Sequence, residues 1–263
     1  MSFLINSYRY AGAEPLINDD NLKGYWKFDE ASGAIINQSV GAATLGAAAN
    51  MSITGSPTYQ NTGSPSGLPD ASVYFDGTND GGNIGTSTSQ FNFMHNSSAL
   101  WTVCYWMAFP QSGFIVDAIL DDTNTEDDKV GVWIGTRTPS GGTEYFAGWI
   151  SFGTGNQHIC TWYPPTIPIP NDTDFHFYVW QYDQSLSSNN FSYQVDMGTA
   201  INLSKTANTP SSADAYSAMK WMMNSGTNLK LEGYCQELSI WNEYLSSSNL
   251  NALYASGAGA PIY

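Results

Sequence analysis

Charge is what this sequence has least of. Only 12% of its 263 residues are Asp, Glu, Lys or Arg, about half the share of an ordinary soluble domain, so Ser, Thr, Asn and Gly must cover much of the surface. Basic residues are the scarcest: 8 Lys and Arg stand against 23 Asp and Glu, a formal net charge of −15. Such a field repels phosphate backbones and anionic bilayers, which removes nucleic acid and membrane surfaces from the expected partners. No apolar run approaches the roughly 18–20 residues of a membrane-crossing helix. A secretory signal, with a basic start and then about 7–15 apolar residues, is also missing, because Phe3-Leu4-Ile5 gives way at once to Asn6-Ser7-Tyr8-Arg9. The expectation is synthesis in the cytoplasm without a signal peptide.

Cysteine and histidine are few as well. Cys104, Cys160 and Cys235 lie far apart, with no CxxC and no Cys/His ligand spacing, so they read as buried thiols. His95 falls in a polar turn, while His158 and His176 fall in aromatic strands, where hydrogen-bonded packing is the expected role. No Ser or Cys sits in a GxSxG elbow and no Gly-rich phosphate loop joins a strand to a helix. Retaining glucanases alternate Glu, Asp and Glu along one strand to set nucleophile and acid about 5–5.5 Å apart. No strand here does so; Glu126-Asp127-Asp128 lacks the period of two that shares a face. The chain reads as non-enzymatic.

What is abundant is aromatic. With 9 Trp, 16 Tyr and 12 Phe, the chain carries aromatic and β-branched runs separated by Gly/Ser/Thr/Asn/Pro clusters from end to end, the rhythm of an all-β sandwich. Strands are predicted at 24–28, 72–76, 100–109, 114–120, 130–135, 144–151, 158–163, 175–182, 191–196 and 234–241. Several are hydrophobic on both parities, as with Phe175, Phe177 and Val179 against Tyr178, Trp180 and Tyr182, so both faces of that sheet must be covered or functionally aromatic. One helix is predicted near the end, where Leu250, Leu253 and Tyr254 repeat at i, i+3, i+4 behind Ser246 as N-cap. Segments 50–67, 121–128, 163–170 and 206–217 read as surface loops. Residues 1–21 form an arm and 22–263 one domain.

Read in order, these motifs carry a resemblance. Leu22-Lys23-Gly24-Tyr25-Trp26-Lys27-Phe28-Asp29-Glu30 with Gly33, then Ala71–Gly77, Leu100–Met107, Phe175–Asp183, and finally Gly233–Asn242 with Leu245-Ser246 and Leu250–Tyr254, together resemble the laminin-G/pentraxin-like (LamG-like) branch of the concanavalin A-like lectin/glucanase superfamily over residues 22–254. The resemblance implies a two-sheet antiparallel jelly-roll sandwich with one short C-terminal helix, a fold that hosts many activities. It also implies a structural calcium near the first and last strands, with Asp29, Glu30 and Glu237 as oxygen donors. Gln236 stands where the family pattern has Asp, and a neutral amide makes a weaker calcium ligand.

Function then divides two ways. Sugars stack their apolar faces on exposed aromatics and are fixed through their hydroxyls by Asn, Asp and Gln; Trp149, Trp162, Tyr163, Trp180 and Tyr182 are the candidate platforms. The opening Ser2–Tyr10 resembles the start of tailed-bacteriophage virion proteins with LamG-like domains, which implies a capsid decoration (cement) or tail-associated subunit on the particle surface. In that reading Phe3, Leu4, Ile5, Tyr8, Arg9 and Tyr10 dock the arm on other virion proteins, a major capsid or tail protein, and the chain forms a homo-oligomer.

Overall fold

Strands form where Trp, Tyr, Phe, Val and Ile cluster, because branched and aromatic side chains pack best on a pleated surface. The computed structural model describes residues 20–39, 49–110, 116–123, 129–137, 145–153, 157–160, 170, 172–204, 209–223 and 231–262. Along them run β1 (Leu22–Trp26), β2 (Met51–Thr54), β3 (Thr58–Asn61), β4 (Ser72–Asp76), β5 (Gly81–Ile84), β6 (Leu100–Ala108), β7 (Val116–Asp121), β8 (Val130–Arg137), β9 (Tyr145–Phe152), β10 (Gln157–Cys160), β11 (His176–Asp183), β12 (Phe191–Val195), β13 (Ile201–Leu203), β14 (Lys220–Trp221), β15 (Glu232–Trp241) and helix α1 (Ser247–Tyr254). They make two antiparallel sheets. One follows the order β13-β12-β11-β6-β15-β4-β3, with β1 also beside β15, and the other β10-β9-β8-β7-β14-β5-β2. This is the jelly-roll sandwich with one α-helix that the sequence predicts.

Strand β6 shows how both parities come to be buried. Trp101, Val103, Tyr105 and Met107 enter the core between the sheets, where they join Val132, Ile134, Phe146, Ile150 and Trp221 of the facing sheet. Cys104 and Trp106 point the other way and pack with Phe177, Val179 and Trp241 under Leu250 and Leu253 of α1. Ser246 caps that helix by accepting from the Asn249 amide at 3.2 Å, a contact that satisfies one otherwise orphaned N–H. The outer face of the eight-stranded sheet is therefore covered in part by the C-terminal helix. Cys104 and Cys235 are buried free thiols.

Three expectations need correction. Segment 50–67, read as a loop, holds β2 and β3, each at one end of its sheet; edge strands keep many side chains in solvent, so their polar composition hides them. The loop at 121–128, read as solvated, begins with two buried carboxylates, Asp121 and Asp122. Asp121 accepts from the Thr123 amide at 2.7 Å and Asp122 from the Val132 amide at 2.6 Å; residues 124–128 lie outside the described residues. His95 does lie in a turn, as read, but the turn is not solvated there: the side chain is fully buried, and burial pushes its imidazole pKa down to about 4. Strand β5 escaped notice because it opens Gly81-Gly82. A Cβ on Gly82 would stand 2.4 Å from the Met51 sulfur, so close approach of a side chain from the neighbouring strand explains the residue.

Strand β15 joins three neighbours and changes partner part-way along its length. Its first half pairs with β4, Glu232 opposite Asp76 through Cys235 opposite Val73, and its second half with β1, Leu238 opposite Trp26 through Trp241 opposite Leu22. The switch falls at a bulge against β6 between Gln236 and Ser239, with Glu237 at φ 55°. A bulge re-aims the side chains on either side of it.

Candidate functional site

The aromatics singled out from the sequence do not form one surface. Trp180 and Tyr182 lie between the sheets, 1% and 0% exposed, Trp180 stacked on Tyr193 at 4.8 Å with its indole N–H donated to the Tyr105 hydroxyl at 2.9 Å. They belong to the core, which leaves no face for a ligand. Trp149 is on the other sheet, facing away from the core, stacked on Trp133 at 4.1 Å beside Ala118 and Ala147 and 6% exposed. Trp162 and Tyr163 lie outside the described residues, as do Phe3, Leu4, Ile5, Tyr8, Arg9 and Tyr10 of the arm.

The residues implied as calcium donors are engaged by other groups of the chain. Gln60 donates its side-chain N–H to the carbonyls of Asp29 and Glu30 at 2.5 and 2.9 Å, so an amide holds the oxygens a cation would need. Glu30 accepts from the Ile36 amide at 2.8 Å, and burial raises its pKa. Glu237 faces the C-terminal segment, accepts from the Tyr25 hydroxyl, and is pushed up to about 7 by burial. Among the described residues no three His, Cys, Asp or Glu gather in metal-binding geometry.

A cleft that the sequence reading missed lies instead on the outer face of the eight-stranded sheet, beyond the cover of α1. It is lined by Asn61, Thr62, Gly63, Thr173, Phe175 and Tyr234 and has a volume of about 310 Å³, at the small end of ligand pockets, which run roughly 300–1,000 Å³. Tyr234 points outward from β15 because Cys235 beside it points into the core. Its ring packs against that of Tyr74 of β4, with centroids 4.6 Å apart and the planes tilted by 35°. Tyr74 in turn donates to Glu232; burial first, and that carboxylate second, raise its pKa and keep the phenol neutral. Phe175 packs against the helix-covered cluster, so the cleft begins where that cover ends.

Each wall is pinned. On one side the Asn61 amide donates to the Thr58 and Ser72 carbonyls at 2.6 and 3.2 Å, leaving its oxygen as the acceptor it can offer, and Asp70 accepts from the Gly63 and Ser64 amides at 2.7 and 3.2 Å. Behind this loop buried Gln236 donates to the Pro69 carbonyl at 2.7 Å. That contact accounts for the departure from the family pattern, since a carboxylate would face the carbonyl with acceptor against acceptor. On the other side His176 contacts Asp196 at 2.6 Å and Asp172 at 3.2 Å, fixing the turn that carries Thr173 and Phe175. The Asp196 hydrogen bond raises the His176 pKa against the opposing effect of burial.

We expect Gln236→Glu to lower stability by about 1–3 kcal/mol, the cost of leaving buried polar groups mispaired, and Gln236→Met, which brings no charge, to cost less. Urea unfolding of the two variants at neutral pH checks the order.

The cleft offers stacking on aromatic faces and neutral hydrogen bonding, and its described lining residues include no carboxylate. A further cavity, about 10 Å³ between Glu237, Ser239, Cys104 and Ile262, has room for about one water molecule.

No family model matches the sequence, and no curated protein matches it. Solved structures do match the fold. Domain 4 of AbnA, a GH43 extracellular arabinanase from Geobacillus stearothermophilus, in complex with arabinotriose, aligns with a TM-score of 0.56 at 15% identity over 88% of this chain and 98% of that one. The binding domain of botulinum neurotoxin DC in complex with SialylT gives 0.59 at 11% identity over 90% of this chain and 52% of that one. Trypanosoma rangeli sialidase in complex with 2,3-difluorosialic acid gives 0.52 at 11% identity, covering 91% of this chain and 34% of that one. The chain thus matches nearly the whole of the first, about half of the second and a third of the third. At such identities the likeness is one of fold, a jelly-roll β-sandwich, consistent with the concanavalin A-like resemblance.

Proposed function

We propose that this chain is a lectin-like carbohydrate-binding module and that the Tyr234 cleft holds the glycan. The observation that carries the reading is the cleft itself, where Tyr234, backed by Tyr74, and Phe175 line one cleft with Asn61, and exposed Thr62 and Thr173 stand at the rim. Sugar rings present apolar C–H faces to aromatics and hydroxyls to small polar groups, and this surface supplies both at the scale of a small ligand. Similar folds in complex with arabinotriose or SialylT support the class of ligand. The test is a glycan array probed with the wild-type protein and with Tyr234→Ala. Wild-type binding that falls at least about tenfold in the variant, about 1.4 kcal/mol, with an unchanged melting temperature, supports the cleft; equal binding by both removes it.

Within that role we place the module on a tailed-bacteriophage particle, as a capsid decoration or tail-associated subunit. The support is the likeness of Ser2–Tyr10 to the opening of such virion proteins and the aromatic and aliphatic content of that segment, suited to anchoring on a protein partner. Deleting residues 2–12 and scoring incorporation into particles tests it: loss of incorporation supports docking through the arm, and unchanged incorporation removes the arm from the account.

A further inference from the structure

The charge around the cleft bears on which glycans it accepts. None of its described lining residues, Asn61, Thr62, Gly63, Thr173, Phe175 and Tyr234, is basic. The nearest charged groups that the hydrogen bonds identify are acidic. Glu232 accepts from Tyr74, the residue against which Tyr234 packs. Asp70 holds the Gly63 and Ser64 amides directly behind one wall. Asp172 precedes Thr173 on the other wall, where it also accepts from the Asp174 amide at 3.1 Å. Among the described residues His176 is the one cation-forming group tied to this wall by hydrogen bonds, and both its ring nitrogens are engaged, by Asp172 and Asp196.

From this arrangement we infer that the cleft selects uncharged glycans and rejects those that carry sialic or uronic acid. The inference rests on the glycan reading proposed above and adds the ligand's charge to it. A carboxylate on the sugar would enter a cleft with no Lys or Arg among its described lining residues. It would lie within about a Debye length, roughly 8 Å at physiological salt, of fixed negative charges, on a protein of net charge −15. Like-charge placement of this kind is how binding sites exclude wrong ligands. The toxin domain and the sialidase of similar fold were solved with SialylT and with 2,3-difluorosialic acid; this cleft is charged against such ligands.

Isothermal titration with matched pairs tests the inference: lactose against sialyllactose, and xylotriose against the same trisaccharide bearing glucuronic acid, after an array has confirmed glycan binding. The expected result is that the neutral member of a bound pair binds at least tenfold more tightly, and that the gap narrows as salt is raised from 20 to 500 mM. Equal or tighter binding of the acidic member overturns the charge inference while leaving the glycan reading intact. Failure of every glycan on the array, neutral or acidic, overturns the glycan reading and the inference together. A second variant, Thr62→Lys, places a cation at an exposed position on the cleft lining. It is expected to bring the acidic member to within about threefold of the neutral one; an unchanged preference counts against electrostatics as the cause.

Discussion

Replacing Trp180 by alanine is expected to lower the unfolding free energy by about 3–5 kcal/mol, the range for emptying a buried aromatic site, and to leave ligand binding by the surviving folded protein unchanged. The indole is 1% exposed and is held by Tyr193, by Phe191 at 5.7 Å, by Phe146 at 6.0 Å and by its hydrogen bond to Tyr105. Its loss removes transfer energy, leaves a cavity between the sheets, and strips the Tyr105 hydroxyl of a buried donor. In a chain of this size the melting temperature should drop by roughly 6–20 °C, as read by circular dichroism. A Trp180→Ala protein that melts like the wild type but no longer binds glycan would return this residue to the binding surface.

The second large effect is in pH. Glu237 and His95 are buried titratable groups shifted in opposite directions, Glu237 from 4.5 up to about 7 and His95 from 6.5 down to about 4, each mainly by desolvation. Between about pH 4.5 and 7 the folded chain holds a proton at Glu237 that the unfolded chain has released, so this carboxyl makes stability fall as pH rises. Between about pH 6.5 and 4 the unfolded chain holds a proton at His95 that the folded chain refuses, so the imidazole makes stability fall as pH drops. Each shift is worth on the order of 3 kcal/mol by linkage, and in the wild type the two slopes oppose each other. The charged and titratable groups acting on Glu237 are Tyr25, Lys27 and Asp29, and that acting on His95 is Asp214. Relative to wild type, Glu237→Gln should gain stability as pH rises from 4.5 to 7, and His95→Gln should gain as pH falls from 6.5 to 4. Urea titrations across that range read the slopes, whatever the absolute cost of each substitution; variant curves parallel to the wild type would contradict the assignment.

The sequence shows the architecture wherever burial demands a hydrophobic pattern. Strands β6, β11 and β15 are aromatic or aliphatic on both faces because one face meets the opposite sheet and the other meets α1 and the C-terminal segment, and they are legible for that reason. Strands β2 and β3 sit at sheet edges and carry Ser, Thr, Gln and Asn, and β5 opens on two glycines, so neither period nor propensity marks them. The same physics hides the site. In a strand hydrophobic on both parities, residue type cannot tell which face is left open, and Trp180 and Tyr182 looked as suitable for stacking as Tyr234, which drew notice only as part of a fold landmark. What opens the surface around Tyr234 is the extent of α1, a tertiary fact. The polar half of the cleft, Asn61-Thr62-Gly63, fell within a stretch read as a loop. Gln236 was the one local signal: a departure from the family pattern that reads as a lost metal ligand in the sequence and proves to be a donor bracing the cleft wall.

The central claim is that the glycan sits on the outer face of the eight-stranded sheet, and amide chemical-shift mapping during titration with a neutral oligosaccharide from the array tests it most directly. Saturable shifts centred on Asn61–Gly63, Thr173–Phe175 and Tyr234, lost in Tyr234→Ala, are the predicted result. Shifts centred on Trp133 and Trp149 of the other sheet, with the Tyr234 region unmoved, would contradict it.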